Sequence, residues 1–530
     1  MLDEDREVDT AAQPASDAGS RGRAPTRMRE TEWKYEAPPG TPVPDLTRLP
    51  GVAEQSDTGR QELSAVYYDT DDLLLARSGI TLRRRTGGDD AGWHLKLPER
   101  PGTRAEIRLP LDDEMPAELH ALISSRVRGR PVRPVARIDT RRRSEVLLDG
   151  SGVSLAEVVA DDVTALGLGD PPTADRWGEV EVELTNGGID LLESADTRLR
   201  EYGLARSERA SKLERALGER LTKAREEAAA TSVPSAPTAA EVVRAYLGMQ
   251  RDELVDKDPR VRLEEPEAVH DMRVAARRFR SALQSFGGVV RPEETERVVE
   301  DLRWLGQALG QARDEEVVAD RLASALARLP SDLVIGPVAQ RVAGYRVPRV
   351  DAAAAAPASV LDSQRYRSLL DALDELIEQP QLAAKVDRRA AAVLPKLVKR
   401  AFRRVGKRAD DAFTAEAGER RDLALHATRK AAKRARYAAE VVLLATGDAA
   451  VGRTIGDLKN LQTALGDHQD TVLTRPAVRR MGIEAYEAGE NAFTYGLLHE
   501  RESESAAASL DQAVQIWHKA TGPKRTRWMR

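Results

Sequence analysis

The chain of 530 residues contains no cysteine, which excludes disulfides, thiolate nucleophiles and cysteine-based zinc sites, and fits a reducing compartment. Any metal must then sit on oxygen or imidazole. No stretch approaches 18 uninterrupted apolar residues, so no membrane span is expected. The acidic start "MLDEDREVD" lacks the basic-then-apolar order of a secretory signal, and the expected location is the cytoplasm. An excess of positive charge is missing too: 82 Lys and Arg stand against 87 Asp and Glu, a net charge of -5. The chain is therefore not a general polycation, and any anion site must come from local clustering. It also has no G-x-x-x-x-G-K-[ST] phosphate loop.

With 41% hydrophobic and 32% charged residues, the composition is that of a soluble globular protein, and the length suggests roughly two to four domains. Residues 1–27 have almost no large apolar side chain and read as a disordered tail. Residues 28–217 carry short alternating segments: "RETEWKY", "SAVYYDT", "ITLRRRT", "WHLKLP", "RAEIRLPL", "RIDTRRRSEVLL", "VSLAEVVADDV" and "GEVEVELT". Eight strands of this kind predict an antiparallel sheet that can close on itself. Residues 218–236, ending in "EEAAATSVPSAPTAAE", read as a linker. Residues 237–520 are Ala, Leu, Arg and Glu at helical spacing, with breaks near "GGVVRPEE", "YRVPRVDAAAAAPAS" and "ATGDAA". They predict an all-helical domain with two similar halves. Residues 521–530 read as a basic tail.

Side chains alternate across a strand with period two, so "ETEWK" puts Glu30, Glu32 and Lys34 on one face. The other strands do the same with Arg83 and Arg85; His94 and Lys96; Arg104, Glu106 and Arg108; Arg141 and Arg143; and Glu179, Glu181 and Glu183. The faces are ionic and segregated by sign, with carboxylates on the first and last strands and cations between them. Turned inward, they would line a tunnel whose charges need a ligand. A polyphosphate with a divalent metal supplies it: guanidinium and ammonium groups match phosphoryl oxygens, and glutamates hold Mg2+ or Mn2+. In "VADDV", Asp161 is preferred over Asp162 as a further metal or water-orienting carboxylate, with Asp162 read as a turn residue.

The phrases "ETEWK", "YYDTDDLLLARSGITLRRR", "WHLKLP", "RAEIRLPL", "EVEVELTNG" and "GLARSERASK" resemble the CYTH domain of the triphosphate tunnel metalloenzymes over residues 29–217. The resemblance implies an eight-stranded tunnel and metal-dependent hydrolysis of triphosphate. Carried across, Glu30, Glu32, Glu106, Glu179, Glu181 and Glu183 would serve the metal. Lys34, Arg83, Arg85, Lys96, Arg104, Arg108, Arg141, Arg143 and Lys212 would hold phosphates, and Glu30, Glu32, Lys34 and Asp161 would do the chemistry. The three consecutive arginines of "DTRRRS" leave the inward register there open by one residue.

A second pattern is a repeat. "HDMRVAARRFRSAL" begins at His270 and "HATRKAAKRARYAA" at His426, and each histidine precedes by the same interval the aspartate closing "LGQARD" at Asp314 or "LGDHQD" at Asp470. On a helix, His270, Arg273, Arg277 and Arg280 fall within an arc of about 80 degrees, with Met272, Phe279 and Leu283 opposite. The second copy repeats the stripe with His426, Arg429, Lys433 and Arg436, backed by Ala432, Ala435 and Ala439. Arg313 and Gln469 sit beside the closing aspartates, which are expected to orient arginine or histidine rather than bind metal. Two equivalent stripes facing one another would repel unless a polyanion lay between them.

These phrases resemble the CHAD domain, the conserved histidine alpha-helical domain often fused after CYTH, over residues 237–520. The resemblance implies a bundle of two pseudo-symmetric four-helix halves that binds inorganic polyphosphate. The expected protein is thus a metal-dependent triphosphatase acting on triphosphate or polyphosphate chain ends, and association with polyphosphate granules is left open. The alternatives are a non-catalytic polyphosphate scaffold, or adenylate cyclase or thiamine triphosphatase activity of the tunnel. Nucleic acid is not the expected partner, because only Trp304 and Tyr437 offer aromatics near the stripes.

Overall fold

The computed structural model describes residues 26–229, 234–287, 292–310, 313–345, 357–378 and 388–529, which divide into two compact units, 1–227 and 228–530. The first unit runs β1 (Thr26–Ala37), β2 (Glu54–Asp69), β3 (Thr81–Thr86), β4 (Gly92–Arg100), β5 (Thr103–Pro110), α1 (Ala117–Val127), β6 (Arg133–Leu148), β7 (Ser154–Gly167), β8 (Thr173–Leu184), α2 (Ile189–Glu201), β9 (Ala205–Arg206) and α3 (Lys212–Ala229). All eight expected strands form, in the antiparallel order β5-β4-β3-β2-β6-β7-β8-β1. The ring closes because β1 divides its length between two partners: Glu30 faces Arg104 of β5, whereas Glu32 faces Glu183 of β8. Most of the expected tail, 1–25, lies outside the described residues, and Thr26 and Arg27 already belong to β1.

This barrel reverses the usual sense of a sheet. Outward rows such as Tyr35, Val158, Val180 and Val182 are buried under Leu192 and Leu199 of α2, leaving the ionic rows to face the lumen. Toward one end the lumen rows turn apolar: Tyr67, Ile138, Val163 and Trp177 pack on Leu213, Leu217 and Leu221 of α3, which plugs the barrel there. The stretch beginning at residue 218, expected to be linker, therefore folds with the first unit. Gly218 leaves helical geometry (φ 47°), a conformation that favours glycine, and beyond it α3 still buries Leu221 and Ala224. Of the rest of the expected linker, residues 230–233 lie outside the described residues.

The second unit is helical throughout: α4 (Ala239–Arg262), α5 (Ala268–Ser285), α6 (Pro292–Ala308), α7 (Arg313–Ala327), α8 (Val338–Tyr345), α9 (Pro357–Asp362), α10 (Gln364–Glu378), α11 (Ala390–Phe413), α12 (Glu419–Thr446), α13 (Ala449–Glu487), α14 (Phe493–Ala520) and α15 (Pro523–Thr526). Thr238 and Glu241 form a capping box at the start of α4, which satisfies amide groups that the first turn leaves without partners. One apolar cluster joins α4, α5, α6 and α10 to the start of α11 and the end of α12. Another joins the end of α11 and the start of α12 to α13 and α14. The expected break at "ATGDAA" is a left-handed Gly447 followed by Asp448, whose carboxylate accepts from the Ala450 amide at 2.7 Å. The other two expected breaks fall largely outside the described residues.

The expected basic tail is instead folded. Trp528 packs against both clusters and donates to the Thr454 hydroxyl at 3.0 Å, Arg525 pairs with Asp457 at 2.8 Å, and Met529 is buried. One terminal aromatic can dock a segment that its composition alone marks as solvated. Among the described residues no helix is long and apolar enough to cross a membrane.

Candidate functional site

The ionic rows of the barrel enclose a cavity of about 330 Å3, with two differently charged regions. In the first, Glu181 of β8 lines the cavity, and Asp161 of β7 and Glu179 of β8, buried beside it, bring their carboxylate oxygens within 4.8 Å of it and of one another. Lys212, the first residue of α3, reaches all three, at 2.9, 2.5 and 2.9 Å. Arg142 grips Asp161 with two hydrogen bonds of 2.9 and 2.7 Å and lies 3.2 Å from Glu181. Lys34 bridges Glu181 and Glu32. Glu32 and Glu183 face each other across β1 and β8, a like-charge pairing that a sheet avoids unless something stands between the carboxylates. Burial first, then Glu30 and Glu32, push the Glu183 carboxyl up to about 7, and among the described residues no cation lies within salt-bridge distance of it.

The second region is cationic. Arg83 and Arg85 of β3, Lys96 of β4 and Arg108 of β5 line it, with Arg104 beside them. Lys96 pairs with Glu30 at 2.6 Å and Arg108 lies 3.5 Å from it. Burial and the neighbouring guanidiniums of Arg83 and Arg142 push Arg85 down, a sign of cations held closer than they would choose. Asp90, from the turn before β4, touches Arg85 and Arg108.

Most of the expected tunnel residues meet here, but not all. Arg141 and Arg143 point outward, the former with 77% of its side chain exposed and 3.7 Å from Glu62, the latter 3.5 Å from Asp162. The inward place belongs to Arg142, between the buried Thr140 and Ser144. Asp161 faces the lumen, whereas Asp162 is on the outer side with Arg143. Glu106 is fully buried and surrounded by His94 at 2.8 Å, Arg83 at 3.6 Å, Lys96 at 3.7 Å and Arg108. Its oxygens are engaged by these cations, as those of Asp161 and Glu181 are by Arg142 and Lys212, and it holds the cationic row in place. Sequence reasoning missed Arg142, Asp90 and Tyr67, whose hydroxyl accepts from Arg83 at 3.3 Å. Period-two counting from Thr140 would have found Arg142; Asp90 sits in a turn, where no periodicity points to it.

The remaining carboxylates suit a divalent metal. Asp161, Glu179 and Glu181 form one set of hard oxygen donors close enough to share an ion, and Glu30, Glu32 and Glu183 face the same cavity. Oxygen-only ligation is the chemistry of Mg2+ and Mn2+.

In the helical unit, α5 packs against α12, and the two histidine-led stripes converge. Burial first, then Arg429, Arg277, Arg436 and Arg273, drive the Lys433 ammonium down to about 7. Arg277 donates to the Tyr437 hydroxyl at 3.1 Å, and Glu440 lies 3.5 Å from Arg436 at one end of the stripe. Burial and then Lys430 lower His426. Behind the stripes Met272, Phe279, Ala432, Ala435 and Ala439 are fully buried and Leu283 nearly so.

The Leu-Gly phrases explain themselves at this point. A Cβ on Gly310 would come within 2.7 Å of the Arg273 guanidinium, and one on Gly466 within 2.7 Å of that of Arg429. Each glycine is thus the seat of the equivalent arginine. Arg429 also donates to the Gln462 carbonyl at 3.3 Å. Asp470 and Arg429 act on one another, in keeping with an orienting role. The side chains of Arg313 and Asp314 lie outside the described residues, and His270 is half-buried beside Arg273 on α5.

Two family profiles match the chain: CYTH domain over residues 28–217 and CHAD domain over residues 245–479. The uncharacterized protein Rv2226 of Mycobacterium tuberculosis is 40% identical over 528 residues, covering 93% of this chain and 98% of that one. Among solved structures, PptA from Streptomyces chartreusis covers 53% of this chain and 99% of its own, at 21% identity and a TM-score of 0.43. The CHAD domain from the plant Ricinus communis covers 54% and 94%, at 26% identity and a TM-score of 0.40.

Proposed function

The chain belongs to the proteins that join a CYTH domain to a CHAD domain, and from that premise we propose that its barrel hydrolyses inorganic triphosphate or the ends of polyphosphate chains with a divalent metal, while the helical domain holds the polymer. The observation that carries the proposal is the segregation of charge within one enclosed cavity. Carboxylates of β1, β7 and β8 stand opposite arginines and lysines of β3, β4 and β5. Although ion pairs of Lys96 with Glu30 and Lys212 with Glu181 already engage some of these carboxylates, a ligand that brings phosphates and a divalent cation together answers both sides at once.

In this reading Arg83, Arg85, Lys96 and Arg108 grip the phosphoryl oxygens, and Arg142 and Lys212 hold the acidic trio in place. Asp161, Glu179, Glu181, Glu30, Glu32 and Glu183 would hold Mg2+ or Mn2+, which when bound neutralises charge on the leaving phosphate. A carboxylate of the acidic rows accepts the proton of the attacking water. Lys34 bridges Glu32 and Glu181, offsets their mutual repulsion and offers its ammonium to the chain.

Two features favour an inorganic chain over a nucleotide or thiamine ester. Among the described residues the cavity lining has a single aromatic, Tyr67, already engaged with Arg83, so these residues prepare no slot for a base or thiazole. The apolar plug under α3 gives the lumen a blind end, so a polymer would enter by its terminus rather than thread through. The same reading of the helical domain would allow association with polyphosphate granules.

The test is phosphate release from triphosphate, long polyphosphate, ATP and thiamine triphosphate, each with Mg2+, with Mn2+ and with EDTA. Metal-dependent release from triphosphate, with ATP near background, is expected. Binding of triphosphate without release under any metal would make the barrel a scaffold, and faster turnover of ATP would make it a nucleotide enzyme.

A further inference from the structure

We infer that the cationic surface does not end with the two stripes but turns at Arg280 and Arg434 and continues along α11, as a second arm for the same linear polyanion, a long phosphate chain. The inference rests on the polyphosphate reading of the helical domain and extends it to a surface outside the stripes. From Arg388 to Arg408 the sequence has no carboxylate at all. Core residues Leu394, Val398, Phe402, Val405 and Ala409 take one side of α11, and Lys396, Arg400, Arg403 and Lys407 stand exposed on the other. Successive like charges four residues apart, such as Lys396 and Arg400 or Arg403 and Lys407, oppose the helix they decorate. A face that merely keeps a helix in water interleaves the two signs; this one does not.

The arm joins the stripes in space. The Thr428 hydroxyl of α12 donates to the Arg408 carbonyl of α11 at 2.9 Å, and α11 packs on α5 as well as on α12. At this junction the arginines crowd. Burial, then Arg303, Arg277 and Arg434, lower Arg280, and burial, then Arg404 and Arg408, lower Arg434. No carboxylate is among the groups acting on either. Cations therefore follow one another from Arg303 of α6 through Arg280 of α5 and Arg434 of α12 to Arg404 and Arg408 of α11. An anion with a charge on every unit answers such a track. A nucleic acid strand answers it less well, because α11 exposes no aromatic: Phe402 is buried against Trp517, 5.1 Å between ring centroids.

The experiment measures affinity for a short polyphosphate, sized to the stripes alone, and for a long one, across a salt series. It uses the full chain and the triple variant Arg403→Gln, Arg404→Gln, Lys407→Gln. All three side chains are exposed, and circular dichroism and a thermal melt check that the variant folds as the parent does. The expected result is unchanged short-chain affinity, long-chain affinity reduced at least tenfold, and a log-log salt slope shallower by about two, as for the loss of three phosphate contacts on a flexible strand. Long-chain affinity and slope equal to those of the parent would overturn the arm while leaving the stripe reading intact. Equal losses for both lengths would overturn its separateness. A parent protein that binds neither chain would overturn the polyphosphate reading itself. Equal binding of a single-stranded DNA of matched charge, lost equally in the variant, would replace polyphosphate by nucleic acid as the occupant.

Discussion

Within the barrel, the difference between a site residue and a surface residue is one position in the chain. Arg141, Arg142 and Arg143 are chemically identical, and the sequence alone did not say which of them faces the lumen. The wrong register looked attractive because it placed two arginines inward, whereas the strand places Thr140, Arg142 and Ser144 there, a row whose small polar members carry no charge signal. Arg142→Gln is expected to lower metal-dependent triphosphate turnover more than tenfold, and to cost about 1–3 kcal/mol of stability because Asp161 loses two charge-assisted bonds. Arg141→Gln, remote from the lumen, should stay within about twofold of the parent, as surface substitutions do. Equal losses in both variants, read by phosphate release and thermal melting, would reject the register.

Lys433 makes the second prediction at this scale. Its pKa in the free protein is depressed to about 7 by burial and the four arginines that surround it, and a bound polyanion would raise it again. Below pH 7 the ammonium is charged in both states, and its contribution to binding is fully present. As pH rises above 7 the free protein gives up that proton, so binding must take one up and affinity falls, until the pKa of the complex is passed. The interior phosphates of a long chain keep a constant charge across this range. Long-polyphosphate affinity measured from pH 6 to 9 should therefore decline above neutrality, and Lys433→Gln should flatten the curve. A parent profile that is flat, or that rises with pH, would dismiss the role given to Lys433.

Among the elements, the sequence was most legible where a period repeats. Alternation revealed all eight barrel strands, and the helical spacing of the histidine-led segments revealed which faces of α5 and α12 are buried. It was least legible where a single contact decides. The docking of Trp528 and the plug made by Leu221 and Ala224 depend on one or two apolar residues in otherwise polar stretches. The Leu-Gly phrases were visible as a repeat, but their purpose was not, because a glycine has no side chain whose chemistry could be read. Packed against Arg273 and Arg429, Gly310 and Gly466 are positioning residues. Gly466→Ala should displace the Arg429 guanidinium and lower polyphosphate affinity about tenfold, on the order of one charge-assisted contact. The loss should vanish when the same change is made in an Arg429→Gln background, since there is then no guanidinium to displace. Additive losses in that double-mutant cycle would mean that the glycine acts on the helix rather than through the arginine.

For the whole molecule, the net charge of -5 conceals two concentrations of positive charge, each assigned a different task on the same class of ligand. In the proposed function the barrel would enclose a few phosphates, with carboxylates for a metal; the helical stripes offer cations with little opposing charge and no metal-holding trio among the described residues. On that proposal, joining the two on one chain would raise the local concentration of chain ends at the barrel without any new contact. That gain exists only for a substrate long enough to be held by one domain while the other works on its end. Replacing Arg273, Arg277, Arg429 and Lys433 together by Gln should therefore remove most long-polyphosphate affinity and slow release from limiting long chains, while triphosphate, which has nothing to offer the stripes, should turn over as in the parent. The affinity lost should be the salt-sensitive part, because half-exposed phosphate contacts are screened and release counterions. Long-chain binding and turnover at low and high salt, beside triphosphate turnover, separate the outcomes. Unchanged long-chain binding would reject the stripes as the polyphosphate site, and loss of triphosphate turnover in a variant that still folds would show the domains to be coupled in catalysis rather than joined only by their shared ligand.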